Sequence, residues 1–237
     1  MRTSSDYRAD ARAKLSGKWG KAALISLGYF VVFFALGVIE GLMSGLLKSI
    51  FSIAVAIIEI PLVFGVIFSY YRLFNGEDTK AFDFLQSGFS NFKRSWLVGL
   101  NVAVKMLVPI IVVIVGIALL TIGVLTYGFA LLVIGGIVYF VGLILSISQS
   151  YYYQLANLVA IDNEELSNKN VVYKCREIMQ GKRGKLFCLQ FSFIGWAILT
   201  AFSFGIGLLW LVPYIQFSMI SFYKDAIGEN DEVIMTN

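Results

Sequence analysis

Long apolar runs, separated by short polar connectors, form the dominant pattern of this sequence. The runs lie near residues 22–41, 49–71, 96–120, 128–153, 186–203 and 207–223. Each approaches or reaches the ~20 residues that a helix needs to cross the ~30 Å of hydrocarbon in a bilayer. The runs are continuous and do not alternate, so they predict helices and not the strands of a membrane barrel. The predicted fold is an all-α integral membrane protein with six transmembrane helices.

Basic residues are distributed very unevenly among the connectors. Seventeen of them lie before the first run, between the second and third, between the fourth and fifth, or after the sixth. In the remaining connectors Lys48 is the only one. Because Lys and Arg are enriched on the cytoplasmic side of membrane proteins, this distribution predicts that the N- and C-termini are both cytoplasmic.

An internal repeat indicates three successive hairpins of one design. Residues 17–21 (GKWGK) match residues 181–185 (GKRGK), and Ser-aromatic-Tyr triplets at 69–71, 150–152 and 221–223 end the second, fourth and sixth runs. The alternative is chance, since aromatic residues gather at membrane interfaces in any case. We predict one membrane domain over residues 1–237, repeat units at about 5–80, 81–165 and 166–230, and a short acidic cytoplasmic tail at 228–237.

Each unit is also predicted to begin with an amphipathic helix on the cytoplasmic surface. Val171, Cys175 and Met179 form an apolar stripe at four-residue steps in the third unit. Equivalent stripes start at Tyr7 in the first unit and Phe82 in the second. Such helices either contact lipid headgroups or simply position the hairpins.

Composition narrows the chemistry that the chain can perform. Only 14% of residues are charged, where a soluble domain carries about 25%. There is no histidine, and the two cysteines have no C-x-x-C spacing, which excludes a zinc site and a Ser-His or Cys-His nucleophile. We expect no cofactor, no metal and no enzymatic activity; acidic, tyrosine or lysine chemistry is all that would remain to an enzyme.

Two ionisable residues, Glu59 and Lys105, lie far from the ends of their runs. If Trp96 and Tyr71 mark the same interface, the 1.5 Å rise per residue places Glu59 and Lys105 at similar depths, and they are predicted to pair inside the bundle. The pair would be a coupling or substrate site, or else a purely structural ion pair. A neutral Glu59 with a snorkelling Lys105 is the third possibility.

Other polar residues of the runs complete a candidate intramembrane site. Pro61 frees the carbonyl of Ile57 and bends the second run close to Glu59. A polar face on the fourth run would line a path, although hydrogen bonds between helices explain it equally well. The further candidates are Asn101, Ser146, Gln149, Ser150, Tyr153 and Asn157.

Membrane lipids are the partners that the basic residues indicate. The chain has a net charge of +4, but its basic residues lie beside the apolar runs and not on a separate soluble face, which argues against nucleic acid as a partner. Anionic headgroups attract such residues by about 1 kcal/mol each. The candidate headgroup contacts are Lys18, Trp19, Lys21, Lys93, Arg94, Lys182, Arg183 and Lys185.

The stretch from Glu177 to Trp196, followed by residues 204–214 and 221–223, resembles domain-of-unknown-function family 975, polytopic bacterial membrane proteins. Looser similarity covers residues 15–21 and 75–92, and residues 141–143 depart from the Ile-Pro-Gly that is usual in that family. The resemblance implies the cytoplasmic membrane of a bacterium and no established reaction.

Two hypotheses of function follow from these patterns. The first is a non-enzymatic scaffold or accessory subunit that binds lipids, other membrane proteins or a transporter complex. The alternative is a small transporter or ligand-binding protein that uses the intramembrane Glu59 and Lys105 site.

Overall fold

The computed structural model describes residues 2–228, and every element in that range is helical. The predicted acidic tail at 228–237 lies outside the described residues, except for Gly228. The helices are α1 (Ser4–Leu15), α2 (Trp19–Leu42), α3 (Gly45–Phe74), α4 (Asp83–Ser90), α5 (Phe92–Leu125), α6 (Phe129–Tyr153), α7 (Ala156–Asp162), α8 (Asn168–Met179), α9 (Arg183–Phe191), α10 (Ile194–Phe202) and α11 (Leu208–Ala226).

Five helical segments of the described chain are long and apolar enough to cross a membrane. They are Trp19–Leu42, Gly45–Phe74, Phe92–Leu125, Phe129–Asp162 and Arg183–Phe202. The fifth predicted run is not one straight helix, because it breaks at residues 192 and 193 between α9 and α10. The fourth run forms α6, which ends at Tyr153, and the chain continues after residues 154 and 155 as α7.

The sixth predicted run forms α11, which is not among those five segments. It carries Gln216, Ser218 and Ser221 among its apolar residues, and most of its side chains are buried against α1, α2 and α3. A helix surrounded by protein does not need a uniformly apolar surface, which explains its mixed composition.

Short helices stand at the start of each predicted unit, as α1, α4 and α8. Helices α1 and α8 both contain 12 residues, with side-chain N-caps from Thr3 and Ser167. Each is followed by a glycine with a left-handed backbone, Gly17 at φ +74° and Gly181 at φ +75°, where a residue with a Cβ would be strained. Their predicted apolar stripes are buried.

Each short helix lies against the last helix of a hairpin. Helix α4 packs on α3, helix α8 packs on α6 and α7, and helix α1 closes the arrangement by packing on α11. We call the packed half the region formed by α1, α4, α7, α8 and α11, together with residues 61–74 of α3 and the first turns of α2 and α9. It holds nearly all of the buried core.

The remaining parts of the hairpins, residues 30–57 and 104–147, are the tip segments. No residue in 30–57 is buried. In 104–147 the only buried residues are Pro109, Gly116, Gly123, Gly135 and Gly142. These glycines let α5 and α6 touch backbone to backbone, because a Cβ on Gly116 would lie 2.5 Å from the amide nitrogen of Tyr139.

Candidate functional site

Basic side chains at the start of each hairpin reach the last carbonyls of its second arm. Lys18 Nζ donates to Leu73 O in α3 at 3.0 Å, and Lys182 Nζ donates to Ala226 O in α11. In the middle hairpin Arg94 donates to Ala160 O at 2.9 Å and to Asn163 O at 2.6 Å, at the end of α7. The same contact is therefore made three times in one chain.

These contacts have a common physical cause. The last four carbonyls of a helix have no partner within the helix, and they form the negative end of its dipole. A cation from the neighbouring arm supplies both the missing donors and the opposite charge. The first lysine of each GKxGK motif thus has a structural role, because it connects the two arms of its own hairpin.

A single carboxylate joins the second arms of all three hairpins. Asp162, at the end of α7, accepts hydrogen bonds from the hydroxyls of Tyr71 in α3 and Tyr223 in α11, the latter at 2.8 Å. Both tyrosines are the last residues of Ser-aromatic-Tyr triplets. Asp162 remains partly exposed on its other side.

Helix α1 is held on α11 by a second polar group of contacts. The Tyr7 hydroxyl donates to Asp225 Oδ2 at 2.7 Å, and Ser221 Oγ donates to Asp10. Burial, together with the hydrogen bond to Asp225, raises the pKa of the Tyr7 phenol. The hydroxyl therefore stays protonated and remains a donor at neutral pH.

A polar pocket of about 580 Å³ opens beside Asp162. Lys174 lines it and donates to Asn163 Oδ1 at 2.6 Å, and Glu177 and Lys182 complete its charged wall. Acidic and basic groups thus face each other there, without the one-sided charge that a strongly ionic ligand requires.

The structure does not bring Glu59 and Lys105 together. Within residues 2–228 they form no ion pair, Glu59 is exposed, and Lys105 Nζ lies 4.9 Å from the ring centre of Tyr173 in α8. The predicted pairing fails because Trp96 is not level with Tyr71. Its indole donates to Ile57 O at 3.0 Å, which is 14 residues, or about 21 Å, farther along α3.

The sequence predicted that Pro61, which has no N–H, would leave the carbonyl of Ile57 without a helical donor. The Trp96 indole supplies the missing hydrogen bond to that carbonyl. Pro61 is buried, and its own carbonyl oxygen would lie only 2.4 Å from a Cβ on Gly88. Helix α4 therefore packs tightly on α3 at the proline.

The predicted polar face of the fourth run is divided by the break after Tyr153, which leaves Asn157 on α7. Ser150 donates to Ile147 O, and Asn101 of α5 donates to Leu97 O, so both are satisfied within their own helices. Gln149 Oε1 is buried without a partner among the described residues. Ser146 is half-buried and Tyr153 is buried.

The other candidate headgroup contacts fall into two groups. Lys21 pairs with Asp78 at 2.5 Å, which lowers the pKa of that carboxyl, and Arg183 donates to Ser148 Oγ and lies over the Tyr152 ring. Lys93 and Lys185 have neither a hydrogen bond nor an ion pair through their side chains within residues 2–228. Trp19 lines an apolar groove that is described below.

The two cysteines differ sharply in environment and neither is in a disulfide. Cys175 lies on the buried face of α8 and is fully buried, and its Sγ donates to Tyr152 O at 3.2 Å. Burial raises the pKa of its thiol to about 12. Cys188 is exposed. Because the thiolate is the reactive form, Cys175 is inert while the packed half stays folded.

Sequence reasoning missed Asp162 and Asp225 as organising residues. An acidic residue after each Ser-aromatic-Tyr triplet was the available signal for Asp162. The partners of Lys18, Arg94 and Lys182 are backbone carbonyls, which leave no mark in a sequence.

Within residues 2–228 no group of three or more potential ligand side chains could hold a metal ion. A family model described as Protein of unknown function (DUF975) matches residues 1–230. No curated protein matches the chain, and no solved structure does.

Proposed function

The chain belongs to the DUF975 family, a family of unknown function, and we propose that it is a non-enzymatic membrane scaffold or accessory subunit that binds anionic lipids at its packed half. Partner membrane proteins would dock on the same module. The family membership agrees with the resemblance in the sequence and brings no assigned reaction.

The proposed topology has six spans, with α11 as the sixth and both termini in the cytoplasm of a bacterial plasma membrane. Support comes from the seventeen basic residues of the connectors next to the packed half, against Lys48 at a tip. The three units would be copies of one hairpin. The matching carbonyl contacts of Lys18, Arg94 and Lys182 and the equal lengths of α1 and α8 favour this origin.

The observation that carries lipid binding is the surplus of positive charge. The chain carries a net charge of +4, and the ion pairs seen within residues 2–228 involve Arg2, Lys21 and Arg72. Lys93 and Lys185 lie in the first turns of α5 and α9, and their side chains form no ion pair with the described residues. Anionic headgroups are the counter-ions that a membrane offers at that level.

The transporter hypothesis has less support. It rested on an intramembrane Glu59–Lys105 pair, whose members lie apart. The orphaned Gln149 oxygen alone does not make a path for a substrate.

The Cys175 thiol provides a direct measurement of stability. In a Cys188→Ser background, a fluorogenic maleimide reacts only when heating exposes Cys175, so the onset temperature reports unfolding of the packed half. Phosphatidylglycerol added to protein in non-ionic detergent should raise this temperature more than phosphatidylcholine does, because a ligand of the folded state stabilises it.

The double change Lys93→Gln and Lys185→Gln should remove a large part of the difference between the two lipids. The matched control, Lys48→Gln, alters the basic residue at the opposite end and should leave the difference intact. Equal stabilisation by both lipids in the unaltered chain would contradict the proposal.

Topology is tested separately by cysteine labelling in a variant that lacks both native cysteines. A membrane-impermeant maleimide applied from outside should label Ser44→Cys and Thr126→Cys but not Ser4→Cys. Labelling at Ser4→Cys would rule out the proposed orientation.

A further inference from the structure

A groove of about 460 Å³ runs between the start of α2, α10 and α11. Three of the four tryptophans of the chain line it: Trp19, Trp196 and Trp210. Leu199 and Leu211 add to its apolar wall, and Arg12 and Tyr214 stand where it meets α1. Trp196 and Trp210 are about half exposed, so the groove is open along one side.

The groove lies along α10, a helix whose residues all retain solvent exposure. The helix breaks at residues 192 and 193, and none of the residues in α10 is buried. Arg8 of α1 donates to the carbonyl of Ser192 at this break, at 3.5 Å.

Arg12 lines the end of the groove next to α1, and a second arginine of α1, Arg8, reaches the helix break between α9 and α10. Arg8 and Arg12 lie one turn apart on α1, and Arg12 Nη1 donates to the Tyr214 hydroxyl at 2.6 Å. Neither forms an ion pair with a carboxylate within residues 2–228, and Arg8 Nε is buried with no hydrogen-bond partner there. The α1 end of the groove therefore carries guanidinium charge that no carboxylate within residues 2–228 neutralises through an ion pair.

We propose that this groove is a specific site for one anionic phospholipid, whose acyl chain lies along the three tryptophans and whose phosphate is held by Arg8 and Arg12. The fit is one of charge and shape together. Guanidinium groups bind phosphate oxygens through paired hydrogen bonds, and an open apolar groove of this size suits an acyl chain. The inference deepens the proposed function by naming the ligand class and its residues.

Brominated lipids test the site, because bromine on an acyl chain quenches tryptophan fluorescence only at close range. The unaltered full chain in non-ionic detergent is titrated with phosphatidylglycerol or phosphatidylcholine that carries brominated chains. We expect half-maximal quenching at about a 25-fold lower mole fraction of phosphatidylglycerol, because each of the two arginines contributes about fivefold at an anionic surface. Equal curves for the two lipids would overturn the proposal.

The double change Arg8→Gln and Arg12→Gln should move the phosphatidylglycerol curve onto that of phosphatidylcholine. Lys14→Gln is the matched control on the same helix, since its Nζ lies over Phe74 and away from the groove. If Lys14→Gln abolishes the preference to the same extent, the arginines are not the headgroup site and the proposal fails.

A competition in the unaltered chain avoids any doubt about folding of the variants. Dihexanoyl phosphatidylglycerol offers the same headgroup with short chains and should displace the brominated lipid only weakly. Displacement at equal concentrations would show that the groove does not hold the chain, which contradicts the proposal. A different result is that quenching shows no preference for phosphatidylglycerol while this lipid still raises the Cys175 exposure temperature through Lys93 and Lys185. That result would reject this site and leave the proposed function standing.

Discussion

The packed half and the tip segments use opposite means of holding helices together. In the packed half, large aromatic and aliphatic side chains are fully buried, and charged groups such as Asp162 and Arg94 join separate helices. In the tip segment of α5 and α6, the buried residues are only glycines and one proline. The tip segment of α2 and α3 buries nothing, although Ser52 donates to Glu40 at 2.6 Å.

In the proposed topology, this difference follows from the solvent that each region meets. Lipid tails are as apolar as leucine, so burying large apolar side chains between spans gains little, and close backbone contact through small residues is what remains. Where the chain meets water and headgroups, burial of apolar surface is again favourable, and polar side chains find partners. The packed half therefore holds nearly all of the buried core, whereas α5 and α6 meet in their tip segment through small residues.

A methyl group at the contact between α3 and α4 should have the largest effect. In Gly65→Ala the new Cβ would lie 2.0 Å from the carbonyl oxygen of Phe84, and neither backbone can move without separating the helices. We expect a loss of about 3 kcal/mol or more, seen as a large fall in the Cys175 exposure temperature. Gly37→Ala in the first tip has open space around it and should cause no loss.

The glycine contact between α5 and α6 should come next. Gly116→Ala would place a Cβ 2.5 Å from the amide nitrogen of Tyr139 and should cost about 1–3 kcal/mol. Gly136→Ala, on the open face of α6, is the control. Because Gly116 lies in a tip segment, the change should alter the yield of cysteine crosslinks between α5 and α6 more strongly than it lowers the Cys175 exposure temperature. The reverse order would contradict a separation between the two regions.

Removing the tyrosine hydroxyls at Asp162 should have a smaller effect. Tyr71→Phe and Tyr223→Phe each delete one hydrogen bond to a carboxylate that is partly exposed, and each should cost about 1 kcal/mol in the same assay. The double variant should lose less than the sum, because both share one acceptor. Tyr127→Phe, at a fully exposed tip connector, should be neutral, and a comparable loss there would count against a special role for Asp162.

The apolar runs sufficed to predict an all-helical fold with helices long and apolar enough to span a membrane, because a span must satisfy every backbone group internally and therefore shows as an uninterrupted run. They did not predict the role of α11, whose polar residues are buried in protein. The depth of α5 also could not be read from the runs. It depends on the contact of Gly65 and Gly88 between α3 and α4, and a glycine in a sequence does not say which backbone it will touch.

The candidate site was predicted only in part. The GKxGK motif and the Ser-aromatic-Tyr triplets pointed to the right residues, since Lys18, Lys182, Tyr71 and Tyr223 all make organising contacts. The expected partner of the lysines was lipid, whereas the structure gives them helix carbonyls. The Glu59 and Lys105 pair failed because it relied on a depth that no local pattern encodes.

Neighbouring residues on α5 allow the most direct test of the claim that cations close the hairpins in the packed half. Arg94 donates to the carbonyls of Ala160, Asn163 and Leu166, whereas the adjacent Lys93 is exposed and makes no such contact within residues 2–228. Arg94→Met should lower the Cys175 exposure temperature by the equivalent of about 2 kcal/mol or more, since several buried carbonyls lose a charged donor. In detergent without lipid, Lys93→Met should leave that temperature unchanged; equal effects of the two changes would contradict the account.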